Sequence, residues 1–269
     1  MRVLLTGRSG QVGAELERIL EEVIATDRAA LDLADPGAIR RVMREVRPEV
    51  VVNAAAYTAV DRAEAERELA TKVNAVAPAV LAEEAKRLGA LLVHYSTDYV
   101  FDGSKGAPYA ETDAPNPLSA YARSKLEGES RIRAAGCRHL ILRMSWVYGP
   151  RASNFYQIIR RKAQAGEPMR MVDDQTSVPT SSAFLASYTA ILLKTGADGL
   201  LHIVPSGQAT RHEFAREVVK APRSSSRVDA ARTSDFPAAA RRPAYSVLDN
   251  RRAGAVLGAR LPHWKDLLT

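Results

Sequence analysis

The sequence predicts an α/β fold, a doubly wound parallel sheet carrying a smaller C-terminal lobe. Three observations predict it. Short apolar runs alternate with longer helical patterns through the first half of the chain. The runs are rich in Val, Ile and Leu on consecutive positions, as in strands buried on both faces. The first run passes straight into a glycine-rich turn. Alternation of this kind implies parallel strands joined by right-handed helical crossovers.

The expected strands are Val3–Thr6, Val23–Thr26, Val50–Asn53, Leu91–Ser96 and Leu140–Arg143. The expected helices between them are Gln11–Glu22, Pro36–Val46, Val73–Leu88 and Pro117–Ala135. For the last of these, Asn116-Pro117 offers a cap and a first-turn proline. Beyond Tyr148-Gly149-Pro150 the rhythm breaks. A helix is expected over Asn154–Ala165, a short strand at Met169–Val172, a helix over Ser181–Leu193 and a strand at Leu200–Val204. Ser224-Ser225-Ser226 reads as loop. These patterns divide the chain into a dinucleotide-binding domain over 1–149 and a substrate lobe over 150–269, with a return segment near 176–198.

The composition is that of an ordinary globular protein, 46% hydrophobic and 26% charged over 269 residues. No stretch approaches the roughly 20 apolar residues of a membrane span, and the N-terminal run is too short for a signal peptide. A cytoplasmic protein is expected. Cys137 is the sole cysteine, which excludes an internal disulfide. The net charge of +7 comes from scattered arginines that alternate with glutamates, with no interleaved basic and aromatic tract. That argues against nucleic acid and suits an anionic small molecule.

Thr6-Gly7-Arg8-Ser9-Gly10-Gln11-Val12-Gly13 lies between the first strand and the first helix. Glycines there permit a tight turn, close backbone approach to a pyrophosphate and close helix-to-strand packing. The helix N-terminus then presents N–H groups and a positive dipole end to phosphate. The spacing is G-x-x-G-x-x-G rather than G-x-G-x-x-G. Asp27 stands 20 positions after Gly7, where an acid can bind ribose hydroxyls. Arg8 and Arg28 suit a 2′-phosphate instead, so both NADH and NADPH stay open, with a lean to NADPH. Asp32-Leu33 follows, at the adenine end or in a plain turn.

Tyr121 and Lys125 are four apart, which places both on one face of a helix. An ammonium near a phenol favours phenolate, and such a tyrosine can exchange a proton with a carbonyl oxygen. The fourth strand ends in Tyr95-Ser96-Thr97-Asp98-Tyr99. Strand carboxyl ends face the ligand crevice in doubly wound sheets, so Ser96 or Thr97 is placed to hydrogen-bond the same oxygen.

With these residues in view, the chain resembles the extended short-chain dehydrogenase/reductase superfamily, and within it the dTDP-4-dehydrorhamnose reductase family. The resemblance is carried by Thr6 to Gly13, Val52 to Asp61, His94 to Gly103, Tyr121 to Lys125, Arg143 to Gly149, Asn154-Phe155 and Arg242-Pro243. It implies a Rossmann-type domain with a C-terminal substrate-binding lobe, a nicotinamide cofactor, a nucleotide-sugar substrate and reduction of a 4-keto group. By similarity, Gly10, Gln11, Val12 and Gly13 hold the pyrophosphate and Asp32-Leu33 lies against the adenine. Ala56, Tyr57 and Thr58 line the cofactor, and Tyr95 sits on the nicotinamide side. Tyr121 is the general acid and also belongs to the cofactor-binding residues. Lys125 lowers its pKa and binds the nicotinamide ribose. Thr97 polarises the substrate carbonyl, while Asp98 and Trp146 contact the sugar.

Two departures qualify the resemblance. The segment between Asp27 and Asp32 is short, so the adenosine pocket is expected to differ. The chain also lacks a terminal acidic extension that holds magnesium in some relatives, so no metal is expected and a monomer or a homodimer remains open. Among competing functions, a dehydratase of this superfamily carries an Asp-Glu pair after the threonine, whereas Asp98-Tyr99 follows here. A nucleotide-sugar epimerase shares Tyr and Lys and stays open. A non-catalytic dinucleotide-binding regulatory subunit would be favoured by loss of either residue, and both are present.

Overall fold

The computed structural model describes every residue except 152–153, 221–223, 225 and 269. The Ser225 part of the expected loop therefore lies outside the described residues. In chain order the strands of the first half are β1 Val3–Thr6, β2 Val23–Thr26, β3 Val50–Asn53, β4 Leu91–Thr97, β5 His139–Met144 and β6 Val147–Tyr148. The second half supplies β7 Met169–Val172, β8 Thr176–Ser177, β9 Thr180–Ser181, β10 Gly199–His202, β11 Ala209–Thr210 and β12 Val228–Ala231. The helices are α1 Gln11–Ile19, α2 Pro36–Val46, α3 Arg67–Thr71, α4 Ala77–Leu88, α5 Ala120–Ala135, α6 Phe155–Gln164, α7 Ser182–Thr195, α8 Arg211–Lys220 and α9 Arg251–Leu257.

Six parallel strands form the main sheet in the order β10-β5-β4-β3-β1-β2. The order reverses between β1 and β3, and ligands of open α/β sheets bind at such a switch point. Alternate residues of each strand feed opposite cores. Leu5, Val52, Val93 and Leu142 face Val12 and Leu16 of α1 and Leu185 of α7. Leu4, Val51, Leu92 and Ile141 face Ile39 and Met43 of α2, Leu81 of α4 and Ile132 of α5. The lobe has its own core, in which Tyr148, Tyr156, Phe214 and Trp264 meet. Among the described residues no helix is long and apolar enough to cross a membrane.

Several element boundaries differ from the sequence expectation. Helix α5 starts at Ala120, because Ser119 rather than Asn116 supplies the cap, accepting from Ala122 N–H at 3.2 Å. Asn116 instead donates to the Val100 carbonyl and to Asp102. The expected helix from Val73 to Leu88 is α4 preceded by a π-helical stretch, Lys72–Val76, and by α3. The chain also returns to the main sheet beyond 176–198. Helix α7 packs beside α1, and β10 becomes the sixth strand. Helix α8 and the two-residue strands carried no readable period in the sequence.

Candidate active site

The turn after β1 depends on absent side chains. Gly7 has φ +78°, and a Cβ on it would stand 2.7 Å from the Ala55 backbone nitrogen. A Cβ on Gly13 would stand 2.0 Å from the Gly7 carbonyl oxygen, so Gly13 lets α1 lie against the turn. Gly10 is the N-cap of α1 and offers no side-chain cap. The first N–H groups of the helix are thus left for a ligand, with the positive end of the dipole behind them. This cradle fits a dinucleotide pyrophosphate.

Above the cradle lies a cleft of about 560 Å³. Gly7, Gly10, Gln11, Val12, Asp27, Asp32, Leu33, Ala56, Tyr57 and Thr58 all line it. Gly13 is not among its lining residues and acts through packing. Asp27 accepts from the backbone N–H groups of Ala29 and Ala30, each at 3.0 Å, and this turn shapes the cleft end. Arg8 is paired with Glu17 at 2.5 Å, whereas Arg28 lines the cleft. Of the two, Arg28 is the one that borders the cleft, where it also meets Asp32 at 3.8 Å. Tyr57 is fixed by Asn74, whose amide accepts from Tyr57 N–H at 2.9 Å and donates to the Tyr57 carbonyl and to Ser124 Oγ at 3.0 Å. Asn74 sits in the π-helical stretch, where the widened turn carries it to this loop.

A second cavity of about 350 Å³ shares Gln11, Thr58, Met144 and Val147 with the first. Thr97, Asp98, Tyr121 and Trp146 line it. Thr97 Oγ1 donates to Asp98 at 3.1 Å, accepts from Tyr99 N–H at 3.1 Å, and is hydrogen-bonded to Tyr121. Ser96, the alternative to Thr97, is occupied, because its hydroxyl donates to Glu129 at 2.5 Å. Ser246 and Ser177 donate to the other oxygen of Asp98, at 2.5 and 3.0 Å. Burial pushes the Asp98 carboxyl up to about 6, against the opposing effect of these hydroxyls and of the Arg211 charge.

Tyr121 and Lys125 share one face of α5, but their relationship differs from the sequence expectation. Burial pushes the Tyr121 phenol above its ordinary range. The Thr97 hydrogen bond pulls it down, and the charges of Asp98 and Tyr99 add to the rise. Lys125 Nζ is engaged elsewhere, donating to the Tyr95 carbonyl at 2.6 Å and meeting His94 Nε2 at 3.1 Å. Burial lowers its own pKa to about 8, against the attraction of Glu129. Tyr121 therefore carries its proton at neutral pH in the resting site.

Tyr95 is also placed differently. Strand alternation turns its ring to the α7 side, where the hydroxyl meets Thr189 Oγ1 at 2.6 Å. It lines neither cavity, and its backbone carbonyl is what reaches Lys125. Trp146 has φ +41°, and its ring face is covered by the Arg211 guanidinium at 4.2 Å. Arg211, Asn74, Ser177 and Ser246 are the site residues that sequence reasoning did not reach. Each lies far along the chain from the motif it serves, and no local pattern marks it.

A glycine cradle at the switch point, continuous with a cavity lined by the tyrosine of a helical Tyr-x-x-x-Lys, defines a Rossmann-type oxidoreductase of the short-chain dehydrogenase/reductase class. The chain belongs to the family described as RmlD substrate binding domain, whose model matches residues 1–269. It is 42% identical to a dTDP-4-dehydrorhamnose reductase of Burkholderia thailandensis, covering 98% of this chain and 96% of that protein. It is 37% identical to the protein of that name in Escherichia coli strain K12, covering 98% and 95%. The crystal structure of a dTDP-4-dehydrorhamnose reductase from Bacillus anthracis in complex with NADP superposes with a TM-score of 0.95 at 33% identity, covering 99% of this chain and 96% of that one.

Proposed function

We propose that this protein is an NAD(P)H-dependent reductase that converts the 4-keto group of dTDP-4-dehydro-6-deoxy-L-mannose to the alcohol of dTDP-L-rhamnose. The observation that carries the reading is the continuity of the two cavities. The cradle for a pyrophosphate and the Thr97–Tyr121 pair open into one space. Gly7, Gly10, Gln11 and Val12 would hold the pyrophosphate, while Asp27, Asp32 and Leu33 would border the adenosine. Ala56, Tyr57 and Thr58 would line the nicotinamide half, and Lys125, which lines neither cavity in the resting protein, would reach the ribose from α5. Bound there, NADPH or NADH supplies a hydride.

The protein's own residues handle the oxygen. Tyr121 gives its proton to the developing alkoxide, a general-acid step. Thr97, whose hydroxyl points to Asp98 in the resting site, turns to the substrate carbonyl. Asp98 and Trp146 receive the sugar. We take residues 1–149, with α7, β10 and α9, as the dinucleotide-binding part, and the remainder as the substrate lobe.

The test is direct. Purified protein is expected to carry little dinucleotide and to consume added NADPH or NADH in step with the keto sugar. Near-stoichiometric bound NAD⁺, with turnover of a sugar nucleotide and no added cofactor, would overturn the reductase in favour of an epimerase.

Asp98 gives a second expectation. Its raised midpoint makes it a carboxylate above about pH 6 and neutral below. If the carboxylate holds the sugar and orients Thr97, kcat/KM for the keto sugar falls as pH drops through about 6. Asp98→Asn is expected to lower kcat/KM and to abolish that limb. A limb that persists in the variant would assign it to another group.

A further inference from the structure

Three neighbouring strands carry a polar row on the face that α5 covers, at the last residues of β1 and β3 and in the middle of β4. Thr6, Asn53 and His94 are register partners on β1, β3 and β4. Each stands one pleat beyond Leu4, Val51 and Leu92 of the core beneath. All three, and Lys125, are 2% exposed or less. Thr6 Oγ1 donates to Asn53 Oδ1 at 2.7 Å, Asn53 Nδ2 meets His94 Nδ1 at 3.0 Å, and His94 Nε2 meets Lys125 Nζ at 3.1 Å. Thr6 also lines the dinucleotide cleft.

Donor and acceptor counting allows this row only two complete arrangements. Neutral imidazole carries one N–H and one acceptor nitrogen. With Asn53 donating to His94 Nδ1, the imidazole proton lies on Nε2, and it must be received by the lone pair of an uncharged Lys125. With Lys125 as ammonium, which has no lone pair, Nε2 must accept. The imidazole proton then lies on Nδ1, the Asn53 amide turns to present its oxygen, and its nitrogen donates to Thr6. The Thr6 hydroxyl hydrogen is then released toward the cleft. Any mixture leaves two donors facing each other in a buried place, which is costly.

We propose that His94 is a positioning residue that couples the charge of Lys125 to its own tautomer and, through Asn53, to the direction in which Thr6 offers its hydroxyl to the dinucleotide cleft. One proton is gained when Lys125 becomes ammonium. The imidazole keeps a single N–H throughout, exchanged from Nε2 to Nδ1. Burial, aided by the Lys125 charge, holds His94 well below the usual histidine range, so it does not become a second cation. The other groups that act on Lys125 are Glu129 from α5, whose charge is shared with Arg143 of β5 at 2.7 Å, and the Tyr95 carbonyl from β4. None of these undergoes a tautomer change, so the switch is specific to His94.

The coupling is read on the resting protein, while its use in turnover rests on the reductase reading. In protein labelled with ¹⁵N-histidine and ¹³C-lysine, the His94 ring is expected to show Nε2–H above the Lys125 midpoint and Nδ1–H below it, with both changes at one pH. In His94→Leu the Lys125 midpoint is expected to fall by about one pH unit or more, since a buried ammonium loses an acceptor. His94→Gln, which can accept through its amide oxygen, is expected to restore most of that shift. One tautomer on both sides of the Lys125 midpoint would overturn the proposal, as would an unmoved midpoint in His94→Leu. If His94→Leu does not fold, the tautomer measurement on the unaltered protein decides alone. Coupled shifts in a protein that fails to reduce the keto sugar would leave the coupling standing and remove the reductase reading instead.

Discussion

Tyr121→Phe is expected to lower kcat by about 10²–10⁴-fold, the ordinary worth of a general acid, while dinucleotide affinity by calorimetry stays close to that of the unaltered protein. The separation follows from what the hydroxyl touches. The phenol lines the substrate cavity and bonds Thr97, whereas the cradle and cleft that take the dinucleotide lie on β1, α1 and β3. Phenylalanine keeps the edge-to-face contact with Tyr99, whose ring centre is 6.4 Å away at 86°. The loss is therefore of a proton and not of packing. The phenol carries its proton at neutral pH in the resting site. Retention of most activity in Tyr121→Phe would remove Tyr121 from the mechanism.

The second large effect is on stability. Glu129 of α5 and Arg143 of β5 form an ion pair at 2.7 Å with side chains 0% and 2% exposed. Glu129 also accepts from Arg143 Nε at 2.9 Å and from Ser96 at 2.5 Å. Removing one member of a buried pair leaves the other charged and unsolvated, which costs about 3–5 kcal/mol. Arg143 is poorly placed to absorb that loss, since its Nη1 has no hydrogen-bond partner among the described residues. Glu129→Ala is thus expected to lower the unfolding free energy in urea by that amount. Replacing both residues, as in Glu129→Leu with Arg143→Met, is expected to recover most of it, because apolar side chains of similar volume suit a buried site. A Glu129→Ala protein as stable as the unaltered chain would show that water reaches the pair.

The sequence by itself determined the parts whose information is local. Runs of consecutive Val, Ile and Leu marked β1 to β5, since a strand buried on both faces needs no distant residue to declare itself. The glycine spacing marked the cradle, because a turn without side chains is a property of the turn alone. The four-residue spacing put Tyr121 and Lys125 on one helix face. Tertiary structure decided whatever depends on which face of a strand meets which helix. Alternation sends His94 and Ser96 toward α5 and Tyr95 toward α7, so Tyr95 meets Thr189 and leaves only its carbonyl for Lys125. Crossovers bring Ser177 and Ser246 to Asp98, and Arg211 to Trp146, from segments far along the chain. Burial, which no spacing reports, raises the Tyr121 phenol and lowers the Lys125 ammonium to about 8.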